Sequence, residues 1–436
     1  MLSKTEINRL VEHFFRHESG KMISVLTGVF GTQNYSLVED IVQDTLIQAI
    51  SSWTYKGVPE NPVGWLYTVA KNKALNAIKR EGHQHNLISN KLYLSMVDTS
   101  DEIDIADLFS EEVIADEQLR MMFMCCHSSI SQDSQVALIL RTLCGFSISE
   151  IAKAFLTNNE SINKRLVRAR KTIREDDVPF EVPQSSELDL RVEAVLAALY
   201  LLFNEGYSSS GGDELIRKEL CEEAIRLAEM MINHKAIIHK SNVHALLALM
   251  KLNASRFKSR EDENGNILTL SQQDRSKWDY HIMEEGFRHL EKAAQAPHIS
   301  KYHLLASISA YHCSAKDYAS TNWKSILNLY DKFLEIDNSP IVILNRSIAL
   351  SKVDGAKKAL RELSAIEQKK SIKSNYLFYA VKAEFQMQTA ELKLAKETVQ
   401  KAIELAPLSK EKQMLKKRFK SYFGNNEHVD VPISKT

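Results

Sequence analysis

Gly145-Phe146-Ser147-Ile148-Ser149-Glu150-Ile151-Ala152-Lys153-Ala154-Phe155-Leu156-Thr157-Asn158-Asn159-Glu160-Ser161-Ile162-Asn163-Lys164-Arg165-Leu166-Val167-Arg168-Ala169-Arg170-Lys171-Thr172-Ile173-Arg174 is the stretch on which the fold turns. Before it, Val136 to Leu143 reads as one apolar helix, and Gly145 breaks it. Ser147 can cap the next helix, and Glu150 three residues on completes a capping box. That helix is short, from Ile148 to Phe155, and a turn over 156–158 follows. Ile162, Leu166, Ala169 and Ile173 then recur at spacings of four, three and four. They predict a helix from about Asn159 to Arg174 with one apolar stripe. Lys164, Arg165, Arg168 and Lys171 lie off that stripe. The pattern has the shape of a helix-turn-helix, whose second helix enters the DNA major groove. The competing reading is an ordinary helical hairpin with a solvated basic face.

The surrounding charge is uneven. The 436 residues hold 56 Lys+Arg and 56 Asp+Glu, a formal net charge of zero. As a mean, that argues against nucleic acid, because binding relies on cations neutralising phosphates. By position it does not. Residues 164–174 hold six bases and no acid, and Lys71, Lys73, Lys79 and Arg80 form a second basic cluster. Between them, residues 98–117 hold nine acids and no base, which reads as a solvated linker joining two basic modules.

Only 14 Gly and 8 Pro are present, which predicts an all-α chain, since sheets need such residues at many tight turns. Pro179 and Pro183 mark a boundary near residue 180. Five scattered cysteines suit a reduced, cytoplasmic protein. The polar N-terminus and the lack of a long apolar run predict no signal peptide and no membrane contact.

The first module holds a second helical pattern. Val38, Ile41, Val42, Thr45, Leu46, Ala49, Ile50 and Trp53 recur at three- and four-residue spacing. The polar face of that helix carries Glu39, Asp40, Gln43, Asp44 and Gln48. After Pro59 and Pro62 comes a run from Gly64 to Arg80 with Trp65, Tyr67, Lys71, Asn72, Lys73, Asn76, Lys79 and Arg80. Aromatic, amide and basic groups on one helix suit a single DNA strand, with cations tracking phosphate and rings stacking on bases. Core packing is the competing role for Trp65 and Tyr67.

Together these residues resemble an RNA polymerase sigma factor of the extracytoplasmic-function (ECF) type. The resemblance rests on Val38-Glu39-Asp40-Ile41-Val42-Gln43-Asp44-Thr45-Leu46, on Pro62 to Asn72, and on Gly145 to Arg174. It implies that Glu39, Asp40, Gln43 and Asp44 bind core RNA polymerase, with the β′ and β subunits as partners. It implies that Trp65, Tyr67, Lys71, Asn72, Lys73, Asn76, Lys79 and Arg80 act on the −10 element of promoter DNA. Asn159, Ser161, Asn163, Lys164, Arg165, Arg168 and Lys171 would read the −35 element. Asn76 stands where the family often has Asp. A narrower resemblance, to members with a long tetratricopeptide-like extension, is carried by Leu119 to His127, Leu201 to Tyr207, Gln273 to Asp279 and Ser339 to Arg346. The expected organisation is region 2 over 1–95, an acidic linker over 96–117, region 4 over 118–178 and a helical-hairpin solenoid over 186–425.

In that last part, Glu335 to Glu404 spans 69 positions and Pro340 to Pro407 spans 67. Two repeats of about 34 residues would give 68. A solenoid presents a concave surface, so a protein partner is expected there. No catalytic group or cofactor is expected. Cys125-Cys126-His127 lacks a second ligand pair at zinc spacing, so no metal is expected either. Asn204 to Gly212 lacks the Lys-Ser/Thr ending of a phosphate loop. The alternative functions are a helix-turn-helix regulator with a helical sensor domain acting without polymerase, and a scaffold whose basic helix is incidental.

Overall fold

In the computed structural model the described residues are 4–80, 108–155, 157–183, 186–207, 217–263, 268–295, 298–406 and 409–423. Residues 96–107 of the expected linker, residues 208–212 and Gly265 lie outside them. The described residues are helical and contain no strand. They divide into two compact units, one of Met1–Ser209 with Ile216–His239, the other centred on Lys240–Thr436.

The first unit contains α1 (Lys4–Phe30), α2 (Tyr35–Lys56), α3 (Pro62–Arg80), α4 (Glu111–Cys125), α5 (Gln132–Thr142), α6 (Ile148–Ala154), α7 (Asn159–Glu175), α8 (Ser186–Tyr207) and α9 (Lys218–Asn233). The expected boundary near residue 180 falls inside this unit, because α8 packs on α4 and α5, and α9 on α4. The second half of α1 is the centre of the unit. Met22, Ile23, Val25, Leu26, Val29 and Phe30 are all buried, and Ser24 and Thr27 are buried with them. A helix buried on all sides must be packed all round, and α1 touches α2, α3, α4 and α5.

Two glycines permit this. A Cβ on Gly20 would lie 2.5 Å from the Leu143 carbonyl oxygen. Gly145 has φ +64 and lies against Phe15 and Arg16 of α1, where a Cβ would meet backbone at 3.1 Å. That break after α5 therefore needs glycine for both conformation and space.

Helix starts follow the local chemistry. Ser147 and Glu150 form the reciprocal box, with Glu150 N–H donating to Ser147 Oγ at 3.2 Å and Ser147 N–H to Glu150 Oε2 at 2.8 Å. Asn158 caps α7 by accepting from Ser161 N–H at 2.8 Å, and Ser110 caps α4. The helix α7 runs as its stripe predicts, with Ile162, Leu166, Ala169 and Ile173 buried. The last residues of the expected linker are helical, since α4 begins at Glu111.

The second unit runs through α10 (Ser241–Ala254), α11 (Tyr280–Ala293), α12 (Lys301–Ser314), α13 (Trp323–Ile336), α14 (Pro340–Asp354), α15 (Ala356–Ile366), a single turn Lys370–Lys373, α16 (Tyr376–Gln388), α17 (Leu392–Leu405) and α18 (Ser409–Phe423). Sequence neighbours pack on each other, as in an array of helical hairpins. Ala380 and Ala383 of α16 and Ala395 and Ala402 of α17 are buried and let that pair approach.

The motifs singled out in this part act as buckles. The Arg275 guanidinium donates to the carbonyl oxygens of His312 at 2.7 Å and Ala315 at 2.6 Å, closing the C-terminal end of α12. It also lies 4.5 Å over the Trp278 ring. Asp279 then caps α11. Arg346 of α14 joins Asp331 of α13 at 2.6 Å and Glu362 of α15 at 2.8 Å.

Candidate functional site

Three helices of the first unit carry the predicted residues. On α2, the stripe Val38, Ile41, Val42, Thr45, Leu46, Ala49 and Trp53 is buried, which turns Asp40, Asp44 and Gln48 outward and leaves Gln43 half-buried. Ile47 lies on the same outer edge and is 61% exposed. Such exposure of a large apolar side chain among acids was not singled out in the sequence, because an isolated Ile reads as core.

Glu39 does not share that outer face. It is 4% exposed and accepts two hydrogen bonds from Arg170 of α7, from Nε at 2.6 Å and Nη2 at 3.2 Å. The expectation that it stands with Asp40 on a solvated surface is corrected: α7 packs on α2 at this point and covers it. Spacing along one helix cannot reveal a partner 131 positions away.

On α3, Leu66, Ala70 and Ala74 face the core. Asn72 and Asn76 are exposed, and Lys71 and Lys73 are half-buried. Trp65 is half-buried, its ring meeting Trp53 edge to face at 5.5 Å. Tyr67 is buried. Its ring stacks on Phe109 at 4.0 Å and its hydroxyl donates to Glu18. Burial and the Glu18 carboxylate push its phenol well up from the ordinary value. The expected stacking platform at Tyr67 is thus corrected to a core contact in this structure, because Phe109, just before α4, already occupies its face. The side chains of Lys79 and Arg80 lie outside the described residues.

On α7, Asn159, Asn163, Lys164, Arg168 and Lys171 are exposed and Ser161 is half-buried. Lys164 pairs with Glu160 at 2.6 Å, and Lys171 lies 3.7 Å from Glu175; both pairs are solvated and weak. Arg165 is turned back, 3.3 Å from Asp133 and 5.2 Å over the Phe155 ring. The outer face also carries Val167, 61% exposed, which the sequence reading did not single out. An apolar group among Arg and Lys is the composition that meets thymine methyl groups beside phosphates and guanine edges.

Glu150 has a second role besides capping. Its Oε1 accepts from Arg16 of α1 at 2.9 Å and from Arg217, just before α9, at 2.7 Å. Arg217 also reaches Glu205 of α8 at 2.5 Å. Burial alone would raise the Glu150 carboxyl, but hydrogen bonds from Arg16 and Ser147 hold it at about 2. Glu117 of α4 shows the opposite. It is buried against Gly28, on which Phe180 also closes, with Oε2 unpartnered. Burial pushes it up to about 7, against a smaller pull from Arg120 and a further push from Asp116. Cys125 and Cys126 are core residues whose thiols burial pushes up, and among the described residues no group of three His, Cys, Asp or Glu is placed to hold a metal. No described helix is long and apolar enough to cross a membrane.

Comparison with known families finds three matched stretches. Residues 14–84, which include α2 and α3, match Sigma-70 region 2. Residues 120–173, which hold the capped helix-turn-helix, match Sigma-70, region 4. Residues 191–294 match a family of unknown function, DUF6596. An uncharacterized protein of Rhizobium meliloti (strain 1021) is 31% identical over 347 residues, covering 80% of this chain and 80% of its own length. No solved structure matches. Core RNA polymerase and promoter DNA are the partners these two sigma regions imply. The chain belongs to the sigma-70 family: it is a sigma factor of the ECF type with a helical C-terminal extension, and it directs promoter-specific transcription.

Proposed function

We propose that Asp40, Gln43, Asp44 and Ile47 on the outer edge of α2 dock on the β′ subunit of core polymerase. Further along the chain, α3 opens the −10 element and α7 reads the −35 element through Asn159, Asn163, Lys164, Val167, Arg168 and Lys171. The catalysis is the polymerase's own, and the chain works in the cytoplasm. The observation that supports this reading best is the outer face of α7, cationic and exposed on a helix whose opposite stripe is fully buried. Ser161, with its N–H already held by Asn158, and Arg165, held by Asp133 and Phe155, are secondary to that face.

The two interfaces are separable. Arg168→Ala and Lys171→Ala are expected to weaken promoter binding by holoenzyme, each contact contributing about 1–3 kcal/mol, and to reduce its salt dependence. Both should leave the affinity for core polymerase unchanged. Asp40→Lys with Asp44→Lys should do the reverse, lowering polymerase affinity while the circular dichroism spectrum is kept. If the α7 variants bind promoter as the wild type does, the assigned reading helix is wrong.

The extension regulates these steps, with a protein as the partner of the second unit, whose hairpin array offers an extended surface. Because α8 and α9 belong to the first unit, removal of residues 240–436 is the informative truncation. It is expected to change promoter output in cells. Unchanged output and polymerase affinity would remove the regulatory role.

A further inference from the structure

The two sigma modules are not separate bodies in the first unit. Arg170, on the inner side of the reading helix, holds Glu39 of the polymerase-facing helix through two hydrogen bonds, at 2.6 and 3.2 Å. Tyr35 of α2 bonds to Thr142 of α5 in the interior. Gly20 of α1 lies against the Leu143 carbonyl without room for a Cβ. Glu150 joins three parts of the chain, taking Arg16 from the first module and Arg217 from the extension. The hairpin α8–α9, most of which lies in the match to DUF6596, packs on α4 and α5 and adds Arg226 on Gln118 at 3.2 Å.

The docked form cannot span a promoter. Centres of the −10 and −35 elements lie about 25 base pairs apart, or ~85 Å of duplex. A compact body of about 230 residues has a radius of gyration of about 17 Å, hence a diameter of roughly 45 Å. The two readers therefore cannot meet both elements while α7 stays on α2. Opening would uncover the side of α1 that packs on α4 and α5, where Gly20 lies against Leu143 and Gly28 against Glu117. Free protein has nothing to cover that surface, which favours closure.

We infer that the first unit is a closed state in which the Glu39–Arg170 pair latches the −35 reader onto the polymerase-binding helix, that the α8–α9 hairpin clasps it there, and that core polymerase must displace Arg170 from Glu39. This inference rests on the assignment of α2 and α7 made above. Region 4 of the same chain is thus the partner of the α8–α9 hairpin. Glu39 is acidic and buried beside the exposed Asp40, so polymerase meets the complete acidic edge only after the latch opens.

The test uses the full chain labelled at Tyr55→Cys and Asp176→Cys, both exposed, since all five native cysteines are buried. Pulsed electron-spin distances are read with and without core polymerase. Free protein should give one short distance, and saturating polymerase should replace it with a long one. Arg170→Glu should raise the open fraction of free protein about tenfold, the shift set by the loss of about 1.4 kcal/mol. Adding Glu39→Arg should restore the short distance. Arg170→Gln, which keeps donors without the charge, should fall between and serves if the reversal disturbs folding. A long distance in free wild-type protein, no response to either Arg170 substitution, or a short distance kept in the polymerase complex would each overturn the latch. Failure to bind polymerase at all would sink the sigma reading instead, and the free-protein distances would still decide the latch.

Discussion

Glu150→Ala is expected to cost about 2–4 kcal/mol of unfolding free energy at neutral pH, read from urea denaturation. The substitution removes the capping acceptor for Ser147 N–H and strips one carboxylate from two arginines at once. Arg217 keeps Glu205, but Arg16 keeps only Glu12 at 3.9 Å. The half-buried Arg16 guanidinium, with Nη1 already unpartnered, would then face an uncompensated desolvation. The pH dependence is specific. The carboxyl sits at about 2 in the folded chain, below its ordinary value of 4.5. A depressed acid stabilises fully above its unfolded value and loses that contribution as pH falls. The advantage of wild type over Glu150→Gln should therefore hold above pH 4.5 and shrink steadily from there towards pH 2. A difference that does not vary with pH over that window would show that Glu150 acts only through packing.

Glu117→Gln carries the opposite sign. Its carboxyl is pushed up to about 7 by burial, with one oxygen lacking any partner. In the window from about 4.5 to about 7 the folded chain holds a proton that the unfolded chain has released, so wild-type stability falls as pH rises through it. A neutral amide avoids that cost. The variant should be more stable than wild type by up to about 3 kcal/mol at pH 8, with the gain gone below pH 4.5. Since Glu117 faces Gly28 of α1 from α4, the gain also reports that the two sigma modules are packed together. No gain at pH 8 would mean that this contact opens in solution.

Much of the fold could be read from local pattern. The capping box at Ser147 and Glu150 and the stripe Ile162, Leu166, Ala169 and Ile173 place α6 and α7 correctly, because both features act within one helix. The stripe from Val38 to Trp53 places α2 for the same reason. What escaped reading is tertiary. The role of α1 as the centre is hidden, since Gly20, Ser24, Thr27 and Gly28 dilute its apolar pattern while serving close packing. Tyr67 reads equally as platform or core until Phe109 is seen against it. Glu39 and Arg170 each read as a solvated charge, and only their contact buries them together. The boundary near Pro179 is a change of composition, whereas packing carries the first unit on to His239.

Purified full-length chain, added to core RNA polymerase on a double-stranded promoter template, tests the central claim most directly by run-off transcription. A transcript that starts at one defined position, requires this chain, and is lost with Asp40→Lys and Asp44→Lys is the predicted result. Sequence-specific DNA binding with no polymerase-dependent transcript on any template selected for that binding would contradict it.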